Sequence, residues 1–410
     1  MKNIFYIFIF LSFSSFSQNE GNIWYFGQSA GLDFNSGVPV ALTDGQLFTL
    51  EGCASIADNN GDLLFYTDGM TVYNKNHTVM PNGTGLLGNN SSTQSAIIVK
   101  KPGSSTIYYI FTVDGISGNL GGLNYSEVDM TLNGGLGDIN INKNIAIFAS
   151  ACEKVTAIKL QNGTDFWIVS RIENSNEYHA YLLTSSGLNM VPVVTNIGPV
   201  NNTDIGYLRS SADGSKIAAA DYLNNSLNIM DFDKITGLLS NVITINTSAY
   251  GVEFSPNNNV LYFSDFGLIY QLDLLAGSST NIINSVIMIS SSSSNANALQ
   301  IGPDQKIYVS EYNLSSLGVI NNPDILGTGC NFNPNAVNLN SGVSQYGLPT
   351  FFSSIFLPQI DTCTLPAANL PDTIIICDTS ITLTAESAHT YQWSTGDTTQ
   401  SIIVNQSGDY

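Results

Sequence analysis

Between positions 58 and 69 the chain reads DNNGDLLFYTDG. Asp58, Asn60 and Asp62 fall at alternate positions, as oxygen ligands do in calcium loops, and Asp68 adds a further carboxylate. The stretch has no glycine at the sixth position and no distal glutamate, so it departs from the EF-hand pattern. The same kind of polar turn returns as QNGTD, ADGS, PNNN and GPDQ. Asp58 and Asp62 therefore read as hairpin residues first. Asp68 is different, because it ends the strand that follows, as do Asp114, Arg171, Asp221, Asp265 and Glu311 in later copies. Six side chains at matched strand ends would form a mostly acidic ring broken by one arginine. Such a ring suits a cation such as calcium, or the hydroxyls of a sugar. The reading that turn chemistry favours is structural, each carboxylate capping backbone N–H groups of a neighbouring loop, as aspartate does in tight turns.

Other chemistries make demands the chain does not meet. His77, His179 and His389 lie outside any G-x-S-x-G context and read as ordinary strand or turn residues. With Arg171 and Arg209 as the only arginines, a three-arginine clamp of the sialidase kind cannot form. No catalytic residue is assigned, no metal ligand is fixed, and the one cofactor left open is calcium, which carboxylates and carbonyls suffice to bind. The tyrosines alternate within strands and read as packing, so no aromatic platform is assigned.

The elements that must position the ring recur every 40–60 residues or so, a period near that of a propeller blade. Each copy is an apolar strand, a polar turn and a second strand rich in β-branched and aromatic residues. They read GCASIADNNGDLLFYTD, SAIIVKKPGSSTIYYIFTVD, TAIKLQNGTDFWIVSR, YLRSSADGSKIAAAD, GVEFSPNNNVLYFSD and ALQIGPDQKIYVSE. More strand-like sequence follows each one, so four short strands per unit is the pattern of a β-propeller. A seventh first strand, YGLPTFFSSIF, has its partners NIWYFGQ, AGLDFN and VPVALT at the other end of the chain. Joining the ends gives an all-β, seven-bladed propeller over residues 18–357 and covers edges that an open array would expose. The alternative is a six-bladed ring with extra edge strands. Ser290–Ser294 reads as a connection between blades.

The ends have their own signals. Residues 1–17 pair Lys2 with a short apolar run and a small-x-small ending, the pattern of a secretory signal peptide. A Pro-containing linker over 358–370 precedes residues 371–410, which carry Cys377 and Trp393 on strands of Ig-like appearance. A complete sandwich needs about seven strands over ~100 residues, so the Ig-like domain is expected to be truncated. Five cysteines in an exported chain suggest disulfides. Cys377 would pair beyond Tyr410, Cys53 with Cys152, and Cys330 with Cys363, among three possible connectivities. A net charge of −20 and 11% charged residues, against about 25% in an average domain, exclude nucleic acid as a partner. No stretch past the leader is long enough to enter a bilayer.

NIWYFGQSAGLDFNSG, LTDGQLFTLEGCASIADNNGDLLFYTDGMTVYNKNHTVMPNGTGLLG and YGLPTFFSSIF resemble the N-terminal propeller of large secreted Bacteroidetes (flavobacterial) proteins. YQWSTGDTTQSIIVNQSGDY resembles the Ig-like or PKD-like repeats that follow in them. KIAAADYLNNSLNIMDF and KIYVSEYNLSSLGVI are similar to YVTN-type repeats of surface-layer and lactonase-like propellers. The first resemblance implies export by type IX secretion through a C-terminal sorting domain, of the kind named for gliding motility, beyond this sequence. It implies no activity. The expectation is a secreted or cell-surface, non-catalytic adhesion module for an extracellular glycan or protein. A calcium-dependent lactonase or lyase and a structural spacer are the alternatives.

Overall fold

The computed structural model describes residues 19–115, 121–200, 205–290, 295–357, 380–385, 391 and 393–405. The expected leader, the linker, most of the serine run, Cys363, Cys377 and His389 lie outside them. Residues from Gln18 to Leu357 form one compact unit. In it seven antiparallel sheets succeed one another as the blades of a β-propeller. Blade 1 consists of Ile23–Phe26, Ala30–Asp33 and Val40–Leu42. The innermost strands of blades 2 to 7 are Ala54–Ala57, Ala96–Lys100, Ala151–Lys159, Leu208–Ser210, Ala249–Phe254 and Ala296–Ile301.

These inner strands read as apolar runs because both of their faces are covered; Ala54–Ala57 and Ala249–Phe254 are buried at every position. The turn that leads to the second strand needs a residue with positive φ, and the chain supplies one in each of six blades. Gly61, Gly103, Gly163 and Gly214 do so at φ between 71° and 87°, and Asn258 and Gln305 at 62°. The DNNGD turn closes in this way. Asp58 accepts from the N–H groups of Asn60 and Asp62 at 2.8 and 3.0 Å, so it serves the backbone.

Three inner strands carry a bulge near their beginning: between Ala151 and Val155, between Ala249 and Val252, and between Ala296 and Leu299. A bulge bends the strand and re-aims a side chain. Here it lies at the channel mouth and carries Glu153 and Tyr250.

The ring closes from both ends of the unit. Gln28 and Val343 exchange backbone hydrogen bonds of 2.9 and 3.0 Å, Tyr346 N–H bonds Leu50 O, and Thr350 N–H bonds Cys53 O. Phe351 lies 5.9 Å from fully buried Trp24. The closing segment makes a single parallel bridge, Pro349 to Cys53, and turns into a short 3-10 helix at Ser353–Phe356. Pro349 brings no N–H to a ladder, which accounts for the missing regular strand.

One expectation fails. Cys53, Cys152 and Cys330 are buried and no disulfide joins them. Cys53 precedes the inner strand of blade 2 and Cys152 lies in that of blade 4, so blade 3 stands between them. In the C-terminal unit, Ile381–Thr384 pairs antiparallel with Ser401–Val404. Trp393, Ile402 and Val404 form a small cluster there.

Candidate functional site

Antiparallel pairing puts the beginnings of the inner strands and the ends of the second strands on one face, around one mouth of the channel. All six ring residues arrive there at matched strand ends, and they do not converge. Asp68 accepts from the N–H groups of Met70 and Thr71 at 2.9 and 2.7 Å. Asp114 holds Gly115 N–H and the Asn89 amide. Asp265 accepts from Thr247 Oγ1 and from Ser248 N–H. Arg171 and Asp221 belong together: Asp221 bonds Arg171 Nη1 and Lys154 Nζ, each at 2.7 Å, with all three side chains fully buried. Burial raises the Glu311 carboxyl above its usual range. Among the described residues no group of three or more His, Cys, Asp or Glu side chains is placed to hold a metal ion.

His77 also has a structural setting. Its ring lies 3.1 Å from Tyr66 Oη and 3.3 Å from Asp44, and Tyr66 is fully buried between blades 1 and 2.

Deeper in the mouth, side chains from several blades meet. Glu153 accepts from the N–H and hydroxyl of Thr93, both at 3.0 Å. Its charge and, more strongly, burial push the Glu51 carboxyl up to about 8, while the Tyr250 hydroxyl opposes them. Buried polar atoms without a hydrogen-bond partner on this face include Glu51 Oε2, Tyr250 Oη, Asp265 Oδ1, Glu311 Oε2 and Gln345 Nε2. Buried groups of that kind are costly unless something satisfies them.

Around these acids stand aromatic side chains. The residue directly after the ring position is Tyr222 in blade 5, Phe266 in blade 6 and Tyr312 in blade 7. Tyr222 lies 5.6 Å from Phe266 and 6.3 Å from Tyr250. Tyr312 stacks on Tyr346 at 4.2 Å. Phe266 is 74% exposed and is held at φ 46°. A bulky residue rarely adopts that conformation, and strain of this kind concentrates at functional positions. Two aromatic groups, Tyr222 with Phe266 and Tyr312 with Tyr346, therefore stand on this face, and their signal in the sequence is one step past the acidic ring: D-Y, D-F and E-Y in three successive copies.

No described protein family and no curated protein matches the sequence. Solved structures do share the fold. A protein from Lactobacillus plantarum is 12% identical with a TM-score of 0.50, over 80% of this chain and 99% of its own. A functionally unknown protein from Desulfotomaculum acetoxidans is 12% identical with a TM-score of 0.45, over 80% of this chain and 100% of its own. A Bacteroides fragilis protein provisionally assigned as a 6-phosphogluconolactonase is 11% identical with a TM-score of 0.45, over 80% and 96%. At such identities the likeness extends to the fold alone. The seven successive sheets define the class as a seven-bladed β-propeller, and its function has to be argued from the site.

Proposed function

We propose that the chain is a secreted or cell-surface binding module whose propeller recognises an uncharged stretch of an extracellular glycan at the channel mouth. The observation that carries this reading is the run of Tyr222, Phe266 and Tyr312 at matched positions on successive blades, in which strained and exposed Phe266 lies 5.6 Å from Tyr222. Sugar rings present a C–H face that packs on aromatic rings, and hydroxyls that seek acceptors. The carboxylates of Glu51 and Glu311, with oxygens left over, stand on the same face as these rings. An apolar surface with a few placed polar groups is the usual form of a ligand site. The leader-like residues 1–17 and the resemblance to exported Bacteroidetes propellers support the location, and the sorting domain that would serve type IX secretion is proposed with it.

The test is a glycan array followed by calorimetric titration of the full chain with the best neutral oligosaccharide, with and without chelator. Phe266→Ala and Tyr312→Ala should each weaken binding by about tenfold, the scale of about 1–1.5 kcal/mol for losing one aromatic contact, with melting temperatures unchanged or raised. Binding that both variants leave intact, or no glycan binding at all, removes the reading. A second reading rests on Glu51 and Glu153: a buried carboxyl raised to about 8 with a second carboxyl close enough to act on it is a pairing that acid–base hydrolysis uses. Glycan turnover lost in Glu51→Gln would favour it.

A further inference from the structure

The far ends of the inner strands form a second, differently charged site. A cavity of 220 Å³ opens there, bounded by the turns of blades 3 and 4 and by Phe352 and Ile355 of the closing segment. One water needs about 10–15 Å³ by the same measure, so a small organic molecule fits. Lys100, Lys101 and Lys159 line it, three of the ten lysines in a chain of net charge −20.

Their placement follows from the repeat. Lys100 ends the inner strand of blade 3, with Lys101 next to it, and Lys159 ends that of blade 4. Among the described residues none of the three forms a salt bridge, whereas five of the other side-chain cations do: Lys154, Arg171, Arg209, Lys216 and Lys306. Glu20 is the carboxylate that lines the cavity with them. The Lys100 ammonium lies 5.9 Å from the centre of the Tyr108 ring, and Phe166 and Phe352, 5.1 Å apart, give the cavity an apolar wall.

We infer that this cavity binds a small organic oxyanion: a carboxylate, phosphate or sulfate held by the three ammoniums, with its carbon skeleton against Phe166 and Phe352. In a protein whose overall field repels anions, three cations gathered in one partly enclosed space make a local reversal of potential, and low-dielectric walls strengthen it. Half-buried Lys159, whose ammonium burial destabilises and the Glu20 carboxylate only partly restores, gains from an incoming anion. The site is on the opposite face from the aromatic groups, so the two can be separated experimentally.

The full chain is titrated calorimetrically with glucuronate, glucose 6-phosphate and glucose 6-sulfate at low ionic strength. At least one should bind with 1:1 stoichiometry, and the arm that binds tightest identifies the head group. Lys159→Gln should weaken it about tenfold or more, Lys159→Arg by no more than about threefold, and Tyr312→Ala not at all. If Lys159→Gln fails to fold, Lys100→Gln gives the same readout. No saturable binding in any arm, or binding unchanged by loss of a cavity lysine, overturns the inference.

Discussion

Glu51 is a buried carboxyl whose pKa folding moves far into the neutral range. Burial and Glu153 raise its folded-state pKa from 4.5 to about 8, and burial raises that of Glu253 to about 7 against the pull of Arg209. A carboxyl whose pKa is raised by folding contributes stability below its unfolded pKa and loses it as pH rises through the folded value, because the native state then holds a proton the unfolded chain has released. The melting temperature should therefore fall between about pH 5 and pH 8. Glu51→Gln, which stays neutral, should flatten the slope by up to a few kcal/mol over the window. A slope unchanged in Glu51→Gln would show that the buried carboxyl is not the source. Glu127, Asp213 and Asp231 have lowered values and act in the opposite sense, only as the pH drops through the ordinary carboxylate range. At this scale the sequence was informative about position and silent about role. It aligned Asp68, Arg171 and Asp221 in one ring. Whether a carboxylate caps its own turn, as Asp68 does, or neutralises a neighbour's cation, as Asp221 does, depends on which blade lies alongside.

The blades are joined by polar contacts as well as apolar ones, among them a fully buried triad between blades 4 and 5. Lys154 lies on the inner strand of blade 4, Arg171 on its second strand, and Asp221 ends the second strand of blade 5. Lys154 Nζ also donates to Ala220 O at 2.7 Å, and Arg171 Nη2 to Pro199 O at 2.6 Å. Asp221→Ala would leave two cations buried together, and the expected loss is about 3–5 kcal/mol in urea unfolding, the range for breaking a buried pair. Asp68→Ala, which only releases two turn N–H groups, should cost about 1–3 kcal/mol. A loss for Asp221 no greater than that for Asp68 would mean the triad is not a joint between blades. The hairpins were readable at this scale because turn glycines and β-branched runs are local signals. The bulges that carry Glu153 and Tyr250 were not, since a bulge is defined against the partner strand, and a single strand carries no mark of it. The expected Cys53–Cys152 disulfide failed for a similar reason: a matched position in a repeat does not say which side chains face each other, and here blade 3 stands between the two strands.

At the scale of the whole ring, stability depends on closing a circle whose first blade is sealed by residues more than 300 positions away, Val343 on Gln28 and Phe351 on Trp24. Trp24 and Phe351 meet across that seam, and Trp24 also packs on Phe34 and Tyr308. Arg209 connects the seam to the rest of the ring. From the inner strand of blade 5 its guanidinium reaches Phe351 O at 3.3 Å and Leu299 O in blade 7 at 3.5 Å, and stands 3.9 Å from Glu253 in blade 6. One buried side chain therefore ties the closing segment to three blades. Trp24→Ala should cost about 3–5 kcal/mol, as large aromatic truncations in a core do, and Arg209→Met a similar amount because Glu253 loses its counterion. The two sites share Phe351, so their effects should not add. A double-mutant cycle should give a coupling of about 0.5–3 kcal/mol, the range for residues with a common partner. Additivity within about 0.5 kcal/mol would mean that the seam closes without Arg209, and that the strut across the channel and the joint between the termini are independent features of the fold.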